Sequence, residues 1–378
     1  MEFTCLTAEL SSAIDVVSRA ISARPIMQSY ENILLDADGD TLRLYATDGS
    51  MYIAASVPAK IELDGTIALD GKLFSEFIRK QSGTEITLTA DAKGATIKSG
   101  RSKTQIALKD AESFPDMPKI KPEAVTVTIP ANALRECIDY VQFAVSNDQT
   151  RKVLTGILLE ITPGSIRAVG LDGFRMAMMN VPCSYAGDPV KAILPRAAAM
   201  EMAKLLKEDG DVALTLDGSY MTVTVGAYEI RFLLIAGEYI NYTQIIPQDG
   251  TTRAKVSGRE LRACVERAQI MAREGKNNTI QLDFCSDKLV VTSRADTGNV
   301  YEEMDCDLQG DPLTIAFNCA YLLDAMKSES GNSIEFSMTN AVRPALIRNL
   351  AGKDILQLIL PVRSVVVNSA NSAREQGA

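Results

Sequence analysis

The sequence contains no histidine. This absence excludes Ser-His-Asp and Cys-His catalytic arrangements and removes the commonest general acid or base at neutral pH. The sequence also lacks a G-x-x-x-x-G-K-[ST] phosphate loop, a G-x-G-x-x-G dinucleotide fingerprint and a G-x-S-x-G nucleophile elbow. An enzyme of this sequence would have to work with carboxylates or lysines. These absences count against an enzyme without excluding one, and we expect no cofactor.

The cysteines are few and unpaired in the sequence. There are seven, and none forms a C-x-x-C pair, so neither a disulfide framework nor a zinc site is indicated. Cys137 and Cys264 fall on apolar faces of predicted helices, a position typical of small buried side chains. No run approaches the roughly 20 apolar residues that span a bilayer, and the N-terminus lacks signal-peptide features. We expect a cytoplasmic protein with no bound metal and no membrane partner.

The net charge is −9 and the sequence pI is about 4.9. Taken alone, this balance argues against tight binding to nucleic acid, because that affinity comes mainly from phosphate neutralisation. The polar faces of the predicted first helices carry both signs of charge, as solvated faces usually do. The sequence therefore shows no basic stripe.

Several aspartates resemble a metal or catalytic site at first sight. The run DADGD at 36–40 resembles the start of a calcium loop, but Thr41 stands where glycine is required and Thr47 where glutamate is required. A hairpin turn explains the run better. Asp48 and Asp172 each precede glycine and occupy equivalent places in different repeats, so we interpret both as turn-forming residues rather than as paired catalytic carboxylates.

A hairpin pattern occurs three times along the chain. In Ile157–Met176, Pro163-Gly164 separates two β-rich runs. The pattern recurs at Ile33–Gly49, at an offset of 124 residues (157 minus 33), and more weakly at Ile280–Ala295. Three copies in 378 residues indicate a triplicated unit averaging 126 residues (378 divided by 3), which is within the usual range for a domain.

Each hairpin follows a predicted helix with the same apolar stripe. The first helix is expected to be capped by Thr7, to run to about Ser22 and to bury Leu10, Ala13, Ile14, Val17, Ala20 and Ile21. Offsets of 124 and 251 residues (134 minus 10 and 261 minus 10) again give apolar residues at every position: Leu134, Cys137, Ile138, Val141, Ala144 and Val145, then Leu261, Cys264, Val265, Ala268, Met271 and Ala272. Second helices are predicted at Gly71–Gln81, Arg196–Glu208 and Ala320–Ser328, each followed by alternating strands.

This order predicts an α+β fold with three tandem repeats, each placing two helices against a sheet. Pro/Gly/charge-rich segments at Lys119–Ala124 and Pro247–Lys255 predict domains at 1–123, 124–249 and 250–378. The polar segment 364–378 is expected to be a mobile tail.

A set of short motifs accompanies this repeat pattern. They are Arg24-Pro25, Ser99-Gly100-Arg101-Ser102, Leu171-Asp172-Gly173-Phe174-Arg175-Met176, Gly237-Glu238-Tyr239 through Ile246-Pro247, Phe317-Asn318, and Leu360-Pro361-Val362-Arg363. The motifs extend over residues 1 to about 363 and are specific through their order and spacing. Together with the repeats they resemble one family, the bacterial DNA polymerase III beta subunit or sliding clamp. Phe174 stands where the family often has histidine, and Ile240 where it often has proline.

The resemblance implies a head-to-tail homodimer. Two chains of three domains each would form a closed ring of six domains, with helices lining the hole and sheets outside. Duplex DNA would pass through the hole, and the ring would tether polymerase to its template without catalysis of its own. Its partners would be the polymerase III alpha subunit, the clamp loader and other proteins with a clamp-binding motif. Enclosure would replace tight phosphate binding, so an acidic body needs only a modestly positive lining.

The resemblance also implies three sets of site residues. DNA-lining residues would be Arg24, Lys72, Arg151 and Arg196. The dimer interface would pair strands Thr104–Leu108 and Val300–Asp307, with contacts from Thr104, Ile106, Leu108, Ile270 and Met271. A peptide pocket between the second and third domains would comprise Leu154, Leu171, Gly173, Phe174, Arg175, Met176, Ile240, Ile245, Val342, Leu360, Pro361 and Val362.

Two other hypotheses fit parts of the sequence. A triplicated scaffold that binds proteins but no nucleic acid would share the fold and differ only in the hole. An enzyme that uses carboxylates or lysines would show stabilisation by a metal or a nucleotide. For any single pocket residue, packing in the core is also a common explanation.

Overall fold

The computed structural model describes residues 1–22, 24–206, 210–275, 278–327, 333–350, 352 and 354–362. The predicted tail at 364–378 lies outside the described residues. The chain divides into two compact units. Unit 1 comprises Met1–Asp139, Gly156–Arg167 and Val181–Gly237, and unit 2 comprises Tyr140–Thr155, Ala168–Asn180 and the chain from Glu238 onward.

The order of helices and strands repeats three times along the chain. The first stretch contains β1 (Glu2–Leu6), α1 (Thr7–Val17), β2 (Asn32–Asp38), β3 (Thr41–Thr47), β4 (Met51–Pro58), β5 (Lys60–Leu63), β6 (Gly65–Asp70), α2 (Gly71–Arg79), β7 (Glu85–Asp91), β8 (Gly94–Ser99) and β9 (Ser102–Ile106). The second contains β10 (Val125–Pro130), α3 (Ala131–Val141), β11 (Gly156–Thr162), β12 (Ser165–Leu171), β13 (Arg175–Pro182), β14 (Val190–Pro195), α4 (Arg196–Leu205), β15 (Asp211–Leu216), β16 (Tyr220–Val225) and β17 (Tyr228–Leu233). The third contains β18 (Thr252–Ser257), α5 (Gly258–Glu274), β19 (Thr279–Phe284), β20 (Lys288–Ala295), β21 (Gly298–Asp305), β22 (Asp307–Gln309), β23 (Leu313–Asn318), α6 (Cys319–Met326), β24 (Ser333–Met338), β25 (Ala345–Asn349) and β26 (Ile355–Ile359).

The apolar stripes of α1, α3 and α5 form the helical side of the core, as the sequence predicts. Every stripe position from the second repeat is buried, and in the third only Met271 stays half-exposed. The first helix is shorter than predicted, because it ends at Val17 and continues only as a 3-10 turn to Ala20. The predicted cap at Thr7 is wrong. Leu6 precedes the helix without a side-chain cap, and the Thr7 hydroxyl is buried inside the first turn.

The second helices of the repeats also begin near their predicted starts and end earlier. The side chain of Asp70 caps α2 by accepting a hydrogen bond from the Leu73 amide at 2.9 Å. Asn318 caps α6 in the same way through the amides of Ala320 and Tyr321. The aspartate run at 36–40 forms the β2–β3 hairpin, with Gly39 in the turn at φ 66°, so the turn interpretation is confirmed.

Unit 1 contains a five-stranded sheet in the order β5-β1-β7-β8-β9 and an eight-stranded sheet in the order β10-β15-β16-β17-β4-β3-β2-β6. In the same unit β11 pairs with β14. Strand β9 is an edge of the five-stranded sheet. It runs from Ser102 to Ile106, so the strand predicted at Thr104–Leu108 lies two residues too far along the chain.

Unit 2 contains a four-stranded sheet in the order β21-β20-β19-β23 and a run of paired strands in the order β13-β26-β25-β24-β18-β22. The buried residues of α5, α6 and these strands form one continuous apolar core. Strand β21 is a sheet edge that ends at Asp305, two residues before the predicted end. The predicted linker at 247–255 is also too long, because β18 begins at Thr252. Within the described ranges, no helix combines the length and the apolar character that crossing a bilayer requires.

Candidate functional site

The loop between β12 and β13 is built on the side chain of Asp172. Its Oδ1 accepts hydrogen bonds from the amides of Phe174 at 2.8 Å and Arg175 at 2.9 Å. Gly173 adopts φ 94°, a conformation that side-chain-bearing residues rarely adopt. The predicted role of Asp172 as a turn-forming residue is therefore confirmed, and the turn presents Phe174 outward with 56% of its surface exposed.

Arg175 holds this loop against helix α6. Its guanidinium donates to Asp172 Oδ2 at 3.0 Å and to Asp324 Oδ2 at 2.6 Å. It also lies over the rings of Tyr321, at 4.4 Å from the centroid, and Phe143, at 5.3 Å. Only 12% of the Arg175 side chain is exposed. Arg175 thus binds two carboxylates and packs against two aromatic rings. Its role is to hold the loop in place.

The carboxyl group of Asp324 is ionised by its surroundings. Burial acts to raise its pKa, but hydrogen bonds from Lys327 and Arg175 favour the charged form, and the net effect lowers the pKa from its ordinary value of 3.8. The charge of the Arg175–Asp324 pair is therefore maintained at neutral pH.

The C-terminal strand lies beside the loop. Strand β13 pairs antiparallel with β26, which places Arg175 opposite Ile359 and Met176 opposite Leu358. The next residue, Leu360, donates its amide to the carbonyl of Phe174 at 2.8 Å. Two segments that are far apart in the sequence are thereby fixed side by side, as the pocket prediction requires.

The predicted pocket residues fall into three classes by exposure: buried, exposed and half-buried. Leu154, Leu171 and Met176 are at most 3% exposed, so they form part of the core beneath the surface. The exposed apolar side chains are Phe174 at 56%, Ile240 at 44%, Ile245 at 39% and Val342 at 69%. Leu360, Pro361 and Val362 are half-buried.

All twelve predicted pocket residues belong to unit 2. Backbone pairing joins the Phe174 loop to the segment that follows β26, and Phe174 stacks on Tyr321 with ring centroids 6.2 Å apart. The position of Ile240, Ile245 and Val342 beside this loop stays a prediction.

Arg151, predicted to line a DNA channel, lies against the Phe174 loop. A Cβ atom added to Gly173 would be 3.3 Å from its Nη1, and its Nε is 3.6 Å from Asp148. The other three predicted DNA-lining residues belong to unit 1. Arg24 and Lys72 are exposed, whereas Arg196 is half-buried with its Nε inside the unit.

The residues predicted for the dimer interface differ in accessibility. Ile270 on α5 is 71% exposed, and Leu108 is 37% exposed. Thr104 and Met271 are half-buried, and the Met271 sulfur accepts a hydrogen bond from the Thr297 hydroxyl at 3.5 Å. Ile106 is only 4% exposed and packs inside its own unit.

Three residues of the site were not predicted from the sequence: Phe143, Tyr321 and Asp324. They surround the Arg175 guanidinium, and Asp324 lies 149 residues from Arg175 along the chain. No local spacing indicates such a pair. The one available signal was Asn318 before α6, which marks the start of the helix that carries Tyr321 and Asp324.

Comparison with known proteins covers almost the whole chain. Models of the N-terminal, central and C-terminal domains of the DNA polymerase III beta subunit match residues 1–118, 128–241 and 243–363. The chain is 29% identical to the beta sliding clamps of Synechocystis sp., over 97% of this chain and 100% of that protein, and of Bacillus subtilis, over 96% and 100%. The crystal structure of the Bacillus subtilis sliding clamp matches with a TM-score of 0.92 at 28% identity, over 96% of this chain and 99% of that one. The DNA polymerase III subunit beta from Pseudomonas aeruginosa matches with a TM-score of 0.92 at 25% identity, over 96% and 100%.

Proposed function

Because the chain belongs to the DNA polymerase III beta-subunit family, we propose that it is a DNA sliding clamp, a processivity factor that encircles duplex DNA as a homodimer. The observation that carries this proposal is the match of three successive domain models of one subunit to nearly the full chain. Domain boundaries would then fall near residue 123 and residue 249. A scaffold without nucleic acid shares the fold, but the similarity to sliding clamps does not favour it.

The finer parts of the function follow from this premise. The protein would act in the cytoplasm, without catalysis, and would recruit the polymerase alpha subunit, the clamp loader and other proteins with a clamp-binding motif. The exposed edges β9 and β21 support a dimer closed by strand pairing, since an unpaired edge is a template for another strand. The exposed Phe174 beside the β26 segment supports a peptide site in unit 2.

DNA association should depend on topology. Loaded onto a closed circular duplex, the protein should be retained, and linearising the DNA should release it by sliding off the ends. Gel filtration of circular and linear complexes measures the retained fraction. Equal loss from both forms would exclude encirclement.

Replacing Arg24 with alanine should weaken loading and reduce its salt dependence. Arg24 is an exposed cation, and a cation that contacts phosphate releases counterions when it binds. The plot of log affinity against log salt has a negative slope, and its magnitude should decrease by about one for each lost phosphate contact. Arg253→Ala removes an exposed arginine of unit 2 and is the matched control. If the salt dependence of affinity is the same in the Arg24 and Arg253 variants, Arg24 does not contact DNA.

The peptide site is tested at Phe174 rather than at Met176. Met176 is 1% exposed, so Met176→Glu would place a charge in the core and would test folding instead of binding. Phe174→Glu puts the charge on the surface. It should lower the affinity for a short extended peptide with aliphatic or aromatic anchors by about tenfold or more, while the dimer mass stays unchanged.

Calorimetric titration of such a peptide measures this loss. Leu63→Glu is the control, because Leu63 is 58% exposed, lies on β5 of unit 1 and is absent from the pocket set. Unchanged peptide affinity in the Phe174 variant would place the binding site elsewhere.

A further inference from the structure

The first repeat contains a loop with the same hydrogen bonds as the Phe174 loop of the second repeat. Asp48 Oδ1 accepts hydrogen bonds from the amides of Ser50 at 2.8 Å and Met51 at 2.7 Å. Asp172, 124 residues later (172 minus 48), accepts in the same way from the amides two and three residues after it. The two loops are therefore built alike, and the first repeat has a counterpart of the proposed peptide site.

A cavity of about 700 Å³ lies at this counterpart. The repeat offset of 124 puts Tyr52 in the place of Met176 and Asp116 in the place of Ile240 (176 minus 52 and 240 minus 116), and Tyr52 and Asp116 both line the cavity. Met176 is 1% exposed, whereas Tyr52 is half-buried and accessible. All residues around the cavity belong to unit 1.

Aromatic rings line much of this cavity. Tyr45 on β3 pairs with Ala54 of β4, and Thr47 pairs with Tyr52, so the two tyrosines are diagonal neighbours on one face of the sheet. Both are half-buried, and Phe114 from the segment after β9 adds a third ring. The cavity thus offers flat apolar surface for a ligand.

The charges around the cavity are balanced. Asp36, Asp116 and Lys119 line it. Arg43 stands opposite Asp36 in the register of β2 and β3, which gives two acidic and two basic residues in this region. Because neither sign is in excess, the rings rather than the charges select the ligand, and an uncharged ligand fits best.

The segment that borders the cavity brings two prolines next to the tyrosines. Its start is fixed by the Lys109 amide, which donates to the Ala68 carbonyl at 2.8 Å, and its end by the Lys121 ammonium, which donates two hydrogen bonds of 3.1 and 3.2 Å. Between these points Pro115 and Pro118 line the cavity, in a P-x-x-P spacing. The chain itself therefore places prolines beside this tyrosine-bearing face.

We propose that the cavity binds a short, uncharged, proline-rich peptide of another protein, held in an extended conformation between the two tyrosines and the segment 115–119. Proline-rich peptides bind in aromatic-lined grooves and are already extended before they bind, so they lose little conformational entropy. The cavity volume is within the range of ligand pockets. The equivalence with the second repeat depends on the proposed peptide site, whereas the cavity and its rings are independent of it.

Titration calorimetry on the full-length protein tests the site, with the acetylated and amidated peptide APPLPPLP as the probe. We expect one saturable site per chain, and binding at least about tenfold weaker for AAALAALA, in which alanine replaces each proline. Tyr45→Ala and Tyr52→Ala should each weaken binding of the proline peptide by about tenfold, because each removes one ring from the contact.

Matched controls separate this site from general attraction to tyrosines and methionines. Tyr185→Ala removes a half-buried tyrosine of unit 1 that does not line the cavity, and it should leave the affinity unchanged. Met117→Glu introduces a charge into the lining and should weaken binding, whereas Met200→Glu on α4, at 37% exposure, should not. If the Tyr52 variant does not fold, the Tyr45 and Met117 variants decide.

Two further variants distinguish failure here from failure of the clamp proposal. Phe174→Glu should leave the affinity for the proline peptide unchanged, and Tyr45→Ala should still be retained on circular DNA. No saturable binding, equal affinity for the alanine peptide, equal weakening by the controls, or a loss in the Phe174 variant alone would overturn the proposal. Particles larger than a dimer that disappear in the Tyr45 variant would assign this face to a second copy of the protein and would also overturn it.

Discussion

Replacing Arg175 with methionine should lower the free energy of unfolding by about 3 kcal/mol, because it removes one partner of a largely buried ion pair. Methionine fills a similar volume, so the cost comes mainly from the two carboxylates left behind. Asp172 and Asp324 are only 13% and 24% exposed and would lose their shared cation. Urea unfolding followed by circular dichroism measures the change.

The pH dependence of this effect has a defined sign. The folded-state pKa of Asp324 is lowered from its ordinary value of 3.8, because hydrogen bonds to Lys327 and Arg175 outweigh the effect of burial. A lowered carboxyl pKa contributes stability that is fully present above the unfolded-state value and is lost as pH falls through the folded-state value. The difference in stability between the wild type and the Arg175 variant should therefore be constant near neutral pH and shrink below about pH 4.

Arg267→Met is the matched control. Arg267 also binds a carboxylate by two hydrogen bonds, at 2.7 and 2.6 Å to Glu302, but 53% of its side chain is exposed. An exposed pair contributes little because solvent screens it, so this variant should lose much less stability than the Arg175 variant. If the two variants lose the same free energy of unfolding, the ion pairs of Arg175 contribute no more than an exposed surface pair.

The fold was predictable from the sequence wherever the signal is local. The stripe positions of α1, α3 and α5 repeat at the helical period, and each hairpin carries its turn residues between two strands, so both features can be recognised without distant contacts. The ends of these elements were less accurate. For example, the predicted cap at Thr7 failed because the helix already includes that residue and its hydroxyl is buried.

Burial in the sheets was harder to predict, because it depends on what covers each face. Arg231 alternates with buried residues along β17, which would normally indicate a solvent-facing position, yet it is 2% exposed. Met176 was expected at a surface cleft, but it is 1% exposed. The next residue, Ala177, lies on the opposite face of β13 and is also buried, so both faces of the strand are covered at this point. Strand periodicity predicts which face a residue occupies, and only the tertiary structure shows whether that face is covered.

The candidate site was predicted through family resemblance, and its physical basis became visible only in the structure. Arg175 was named as the charged member of a pocket. The structure pairs it with Asp324, from a helix 149 residues further along the chain. That contact changes its expected role from binding a peptide to holding the loop that presents Phe174. A long-range ion pair of this kind leaves no pattern in a single sequence.

Replacing Ile270 with aspartate should convert the proposed dimer into folded monomers. Ile270 is 71% exposed on α5, on the face away from the buried stripe of that helix. A large apolar side chain at such a position gains free energy when a partner covers it. At an interface centre, its loss should raise the dimer dissociation constant by about 30-fold or more, and a buried aspartate adds a desolvation cost. Sedimentation velocity distinguishes 40.9 kDa from twice that mass.

Ile240 provides a reciprocal control in the same unit. It is also an exposed isoleucine, at 44%, but it belongs to the proposed peptide site. Ile240→Asp should remain a dimer and lose peptide affinity, whereas Ile270→Asp should lose the dimer and, as a monomer, still bind the peptide, because every proposed pocket residue lies in unit 2 of one chain. A dimer that persists in the Ile270 variant at nanomolar concentration would place the interface elsewhere. Loss of both properties in both variants would mean that the two surfaces are not independent, because two separate sites must respond to these substitutions one at a time.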